Sequence, residues 1–210
     1  MVEDRGTMRR RGCRSGTAVL LLSVSLLAPH PATAFYKQEG SLKTSDGRSR
    51  EEQNLLYFTD LPVTTHDGLR KRFYSDILKG KVVLISFFYT NCPTAAQDNA
   101  KIAEIRGLVE GGKGKDVLFV SISADPERDT PEALKEYAER YRPGTGRVLL
   151  TGTREDLRAI NLKLGNASPS PEAHIRIFLL GNVKTGRWIR MNEFAPSASV
   201  AEGIQLLSEE

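Results

Sequence analysis

Apolar positions along this 210-residue chain change period several times, and each change marks an element. Val82 to Tyr89 is an unbroken apolar run, the pattern of a strand buried on both faces. Ile102, Ile105 and Val109 follow at helical spacing, and Gly111 to Gly114 ends that helix. A second buried strand runs from Val117 to Ser123. Thr130-Pro131-Glu132 then opens a helix with a cap hydroxyl, a proline at the first helical position and an acidic first turn. Its apolar face is Leu134, Tyr137, Ala138 and Tyr141, and Pro143-Gly144 stops it. Arg147 to Leu150 reads as a short strand. Thr153 to Asp156 has the form of a capping box with Asp in place of Glu, ahead of a helix with Leu157, Ile160 and Leu164 on one face. A Ser- and Pro-rich loop, Asn166 to Ala173, delivers His174 to the start of a strand from Ile175 to Leu180. Gly181 to Gly186 turns the chain into Arg187 to Met191, and a last helix uses Val200, Ile204 and Leu207.

Ahead of this series, Leu61-Pro62-Val63 and Leu69 to Phe73 flank Thr65-His66-Asp67-Gly68, whose Asp-Gly pair predicts a small hairpin. His66 is then a hairpin residue with no site role. Tyr74 to Leu78 reads as a short helical turn leading through Lys79-Gly80-Lys81 into the first buried strand. The order of elements is mixed α/β and suits a central sheet covered on both faces. A thioredoxin-like mixed sheet flanked by helices, with an N-terminal β-hairpin extension, is the expected fold.

The first residues read as a processing segment. Arg9-Arg10-Arg11 and Arg14 precede the apolar run Thr17 to Ala28, and Ala32-Thr33-Ala34 has the small-x-small form of a signal peptidase site. The apolar run is shorter than the ~20 residues of a spanning helix. The expected domains are a signal peptide at 1–34, a flexible tether at 35–54 and one folded domain at 55–210, with order beginning near Leu55. Cleavage after Ala34 removes five of the 30 Lys+Arg and two of the 26 Asp+Glu, leaving 25 against 24. The net charge of +4 therefore belongs largely to the leader, and nothing in the remainder points to nucleic acid.

Of the two cysteines, Cys13 falls within the leader, so the exported chain holds one thiol, Cys92, and no internal disulfide. Cys92 is placed where a central strand hands over to a helix. Backbone N–H groups without intrahelical partners favour an anion there, a thiolate included. The aromatic neighbours Phe87, Phe88 and Tyr89 suit a buried, inert thiol equally well.

From about Asp60 onward the chain resembles the SCO/SenC family of thioredoxin-fold proteins, copper-handling and thiol-redox assistants of cytochrome c oxidase assembly. The most specific stretch is Asp67 to Pro93, D-G-L-R-K-R-F-Y-S-D-I-L-K-G-K-V-V-L-I-S-F-F-Y-T-N-C-P. Further matches are S-I-S-A-D-P-E-R-D-T-P from Ser121, L-T-G-T from Leu150 and G-N-V-K-T-G-R-W from Gly181. The family's working motif is C-x-x-x-C-P with a distant histidine as third copper ligand. The resemblance implies that Cys92 is the first cysteine and His174 the histidine, so that Cys92 and His174 are the metal ligands. It also implies that Asp125 is a carboxylate beside the metal-site face. The second cysteine is missing, because position 96 is Ala96 and Gln97 stands where the proline should be.

That departure is chemical. Two thiolates and an imidazole make a soft three-coordinate Cu(I) site, whereas one of each binds with less affinity and selectivity. An intramolecular disulfide needs two sulfurs, and Ala96 removes the internal resolving thiol. Three functions of different class follow. One is an exported SCO-like protein, periplasmic or otherwise extracytoplasmic and membrane-tethered if the leader stays uncleaved, assisting copper delivery or thiol redox maintenance in oxidase assembly, with a weakened copper site at Cys92 and His174 or a site completed by a partner's ligands. The others are a single-cysteine redox or peroxidase-like protein with Cys92 as its catalytic thiol, and a non-catalytic binding module on the same frame. The expected partner is a respiratory oxidase subunit or another exported redox or copper protein, and the expected state is a monomer.

Overall fold

The computed structural model describes residues 48–111 and 116–209. The leader at 1–34 and most of the tether lie outside the described residues. Order begins earlier than Leu55. Helix α1 spans Arg50–Phe58, and Ser49 caps it through a reciprocal box with Glu52, a signal hidden among the polar residues there. Strands β1 (Pro62–Thr65) and β2 (Arg70–Arg72) form the expected hairpin, and Phe73–Leu78 closes as a π-helical turn. Then come β3 (Val82–Phe88), α2 (Ala95–Glu110), β4 (Val117–Ser123), α3 (Pro131–Tyr141), β5 (Arg147–Thr151) and α4 (Arg154–Lys163). Strands β6 (Ile177–Asn182) and β7 (Arg187–Asn192) and helix α5 (Ser197–Ser208) complete the described chain.

The strands make one mixed sheet in the order β2-β1-β5-β4-β3-β6-β7. The β3–β4 and β4–β5 pairs are parallel, with Val83 opposite Leu118 and Val120 opposite Val148. The hairpin joins the sheet through β1 against β5, and β6 lies antiparallel to β3. The continuous apolar run of β3 is explained by its central place. Val83, Ile85 and Phe87 face one core with Phe58, Leu157 and Ile160, whereas Leu84 faces the other with Ile105, Val200 and Ile204. Each of these fully buried side chains contributes about 1.5–3 kcal/mol over an exposed one. Among the described residues no helix is long and apolar enough to cross a membrane.

Two boundaries concern the site, and the second differs from the sequence reading. Helix α2 starts at Ala95, so the cysteine at the strand-to-helix handover sits in the turn before the N-cap residue Thr94. Strand β6 starts at Ile177, three residues after His174. The Ile175 N–H donates to Asn166 Oδ1, and the ladder to β7 begins at Ile177 opposite Asn192. His174 is therefore a loop residue held by local bonds and not the first residue of a strand.

Candidate thiol and metal site

The turn that carries Cys92 leaves β3 through Tyr89-Thr90-Asn91. Buried Asp129, in the β4–α3 loop, clamps it by accepting from Thr90 N at 3.0 Å and Thr90 Oγ1 at 2.6 Å. Its other carboxylate oxygen accepts from Ser123 Oγ at 2.6 Å. Burial pushes the Asp129 carboxyl upward, against the pull of the Ser123 and Thr90 bonds. The Ala95 N–H donates back to the Cys92 carbonyl at 3.0 Å, closing the turn.

Cys92 is half-buried, makes no disulfide and is the only cysteine among the described residues. Its Sγ lies 3.2 Å from Thr94 Oγ1 and 4.0 Å from Asp98 Oδ2. Thr94 makes no side-chain cap bond to its own helix. Its hydroxyl instead donates to Asp98 Oδ2 at 2.7 Å and accepts from Arg176 Nη1 at 3.0 Å. Arg176 Nη2 grips Asp98 Oδ1 at 2.7 Å, and its Nε faces Glu193 Oε2 at 3.1 Å as an ion pair without an aligned hydrogen bond. Two carboxylates hold the guanidinium above its ordinary value despite burial. Burial pushes Glu193 up to about 7, with Arg176 opposing and Asp98 adding to the rise. The sulfur thus borders a cation-centred network instead of an array of bare helix N–H groups.

A short 3₁₀ turn, Pro171–Ala173, delivers His174. The side chain is buried, and Nδ1 lies 2.8 Å from the Pro171 carbonyl. A carbonyl can only accept, so Nδ1 carries the proton and Nε2 keeps its lone pair. Burial pushes the imidazole below its ordinary value; the Pro171 bond raises it, nearby Arg176 lowers it and Asp98 raises it. A neutral imidazole oriented by a carbonyl is the form that ligates metals. Tyr89 touches one candidate ligand and is influenced by the other. Its ring meets the His174 ring edge-on at 5.6 Å. Its phenol is held above the ordinary value by burial first, then by the charge of Cys92 and a hydrogen bond to it.

Asp125 is buried, and its Oδ2 is engaged by Arg128 Nε at 2.5 Å. Arg128 in turn reaches Glu172 at 3.6 Å, two residues before His174. Asp125 thus acts on the histidine loop through Arg128, and no contact joins its carboxylate to Cys92. Ala96 is exposed on the first turn of α2. Among the described residues no group of three His, Cys, Asp or Glu side chains is placed to hold a metal ion. His66 lies apart in the hairpin turn, where Nδ1 accepts from Leu149 N at 3.3 Å.

Sequence reasoning missed Tyr89, Thr94, Asp98, Asp129, Arg176 and Glu193. The i,i+4 pair Thr94–Asp98, on the face that follows Cys92, was the one local signal available. Arg176 and Glu193 come from distant segments and carried none.

A mixed sheet with a cysteine turn after its central parallel strand is a thioredoxin-like fold. The SCO1/SenC family profile matches residues 59–167, and the chain belongs to that family. A SCO2-like protein of Rickettsia conorii is 39% identical over 113 residues, 53% of this chain and 53% of that protein. The human mitochondrial SCO1 homolog is 34% identical over 123 residues, 58% of this chain and 40% of that protein. The chain spans about half the length of the curated relatives it matches. Among solved structures, a SCO1/SenC family lipoprotein from Bacillus anthracis superposes with a TM-score of 0.59 at 25% identity, covering 70% of this chain and 92% of that one. Arabidopsis thaliana ScoI with copper bound shares the fold, with a TM-score of 0.59 at 22% identity over 71% of this chain and 97% of that one.

Proposed function

We propose that this chain is an exported SCO-like protein that assists copper delivery or thiol redox maintenance during respiratory oxidase assembly, working with a single cysteine. The observation that supports the reading is that Tyr89 packs edge-on against the His174 ring and is itself influenced by Cys92, while His174 Nε2 stays unprotonated. Copper is cargo here. One thiolate and one neutral imidazole suit soft Cu(I), and a partner supplies the third donor at the exposed face around Ala96. Support also comes from the solved neighbours: Arabidopsis thaliana ScoI, yeast Sco1 and Bradyrhizobium japonicum ScoI carry bound copper, and BsSco is a member of the Sco family of cytochrome c oxidase assembly proteins. In this reading residues 1–34 direct export to an extracytoplasmic compartment, the following segment tethers the domain, and the partner is an oxidase subunit or another exported redox or copper protein.

The test is a Cu(I) competition titration with a chromogenic chelator. Wild type binds one equivalent, Cys92→Ser abolishes binding and His174→Ala weakens it by roughly tenfold or more. Equal titration curves for all three would remove copper from the account. A second reading is favoured by the arginine-centred network at Sγ. In it the Cys92 thiolate attacks a partner disulfide, one partner sulfur leaves as a thiolate, and an external thiol resolves the mixed disulfide. Thiol-dependent turnover without copper binding would establish that reading, and absence of both activities would leave a binding module.

A further inference from the structure

The described surface holds a second built site, remote in function from Cys92. We propose that the groove between α1, the end of α4 and the β6–β7 hairpin binds an anionic amphiphile, an apolar chain bearing one carboxylate or phosphate. The groove encloses about 280 Å³. Its floor is Phe58, Leu164, Leu179 and Trp188, and Tyr57 and Leu162 stand at its sides, 42% and 51% exposed. An apolar chain would cover this surface, which water otherwise wets at a cost of about 25 cal/mol per Å².

Two features say more than apolarity. The first is charge. Lys163 and Arg190 both line the groove, both are exposed, and neither has an ion-pair partner among the described residues. The Arg190 guanidinium lies over Gly165, where a Cβ would come within 3.5 Å of Nη1, so both cations stand at the carbonyl end of α4. The roughly half negative charge of a helix C-terminus offsets only part of two full positive charges. The mouth of an apolar groove therefore stays cationic and fits an anionic head. The second feature is Trp188. Its ring lies flat on Gly181, where any Cβ would stand 2.3 Å from Trp188 Cε3 and Cζ3, and Phe58 packs at 5.1 Å from it. The ring is thereby fixed, yet its indole Nε1 is buried with no hydrogen-bond acceptor. The fixed ring gives the apolar chain a rigid flat surface to lie against.

Trp188 is the single tryptophan of the chain, so its fluorescence reports the groove. The full chain is titrated with decanoate, decyl phosphate and uncharged decanol. Saturable binding of one or both anions is expected, with decanol at least roughly tenfold weaker. Lys163→Gln and Arg190→Gln each weaken the anions about three- to tenfold and leave Cu(I) titration at Cys92 unchanged. No saturable response, or equal affinity for decanol, or full affinity in the double glutamine variant would overturn the assignment. Adsorption to phosphatidylglycerol vesicles without monomer binding would also overturn it, by making the face a membrane surface and not a pocket. Because Cys92 takes no part, failure here leaves the proposed copper or thiol role untouched.

Discussion

Adjacent residues of α2, Asp98 and Asn99, belong to two arginine-centred networks with opposite characters. Asn99 faces inward. Its Oδ1 accepts from Arg147 Nη1 at 2.8 Å, and Arg147 also donates to Ser121 Oγ at 3.0 Å, which meets Ser86 Oγ at 3.0 Å. Tyr137 closes the set at 2.5 Å from Asn99 Nδ2. No carboxylate joins it. Burial pushes Arg147 down to about 10 and Tyr137 up to about 12. Asp98 faces the other way. It shares Arg176 with Glu193 and Thr94, leaves the assembly half open to solvent, and abuts the Cys92 sulfur. The closed network pairs its cation with neutral acceptors alone and serves the core. The open one uses compensated charge, so a group beside it can gain or lose a charge without unpairing a buried cation.

Removing the cation of the closed network should have the largest effect. Arg147→Ala takes the donor from Asn99 Oδ1 and Ser121 Oγ and leaves a cavity, costing about 3–5 kcal/mol in a urea unfolding series. A loss below about 1 kcal/mol would show that water replaces the guanidinium and that the network is not closed. At the open network, Ala96→Cys restores the second thiol of the family motif on the exposed first turn of α2. It should tighten Cu(I) binding by about thirtyfold, roughly 2 kcal/mol, and lower the free-thiol count after mild oxidation. No gain and no thiol loss would mean that the turn has drifted beyond its missing cysteine.

Glu193 sharpens the contrast through pH. Its folded carboxyl sits at about 7, above the ordinary 4.5, so the folded state binds the extra proton between those values. That contribution is fully present below 4.5 and is lost as pH rises through 7. Wild type should lose roughly 1–2 kcal/mol across that window relative to Glu193→Gln, read from thermal melts. Parallel melts for the two proteins would place Glu193 in solvent-like surroundings. The smallest effect expected is at the sulfur itself. Arg176→Ala removes the nearby cation and should slow alkylation of Cys92 by iodoacetamide about threefold at fixed pH, with Arg176→Lys restoring part of the rate. An unchanged rate would confine Arg176 to a structural role.

Periodicity and punctuation were enough for most of the fold. The run at β3, the Thr130-Pro131-Glu132 start of α3 and the Asp67-Gly68 hairpin turn each express a local steric or solvation rule. Short-range rules also placed a cysteine after a central strand, and the quoted motifs marked Cys92, His174, Asp125 and the gap at Ala96. They did not reach the setting of those residues. Asp125 needed its Arg128 bridge to be understood, and the N-cap Thr94 beside Cys92 makes no cap bond because its hydroxyl is engaged by Asp98 and Arg176.

The chain order alone therefore determined most of the elements, the place of Cys92 and the absent second cysteine at position 96, since each depends on residues within one turn or one strand. Tertiary structure decided what surrounds the sulfur. Arg176, Glu193 and Asp129 reach the Cys92 turn from segments dozens of residues away, and the Tyr89–His174 contact joins the end of β3 to a loop before β6. Such meetings depend on how strands are ordered in the sheet, and side-chain charge and burial follow only once that order brings the loops together.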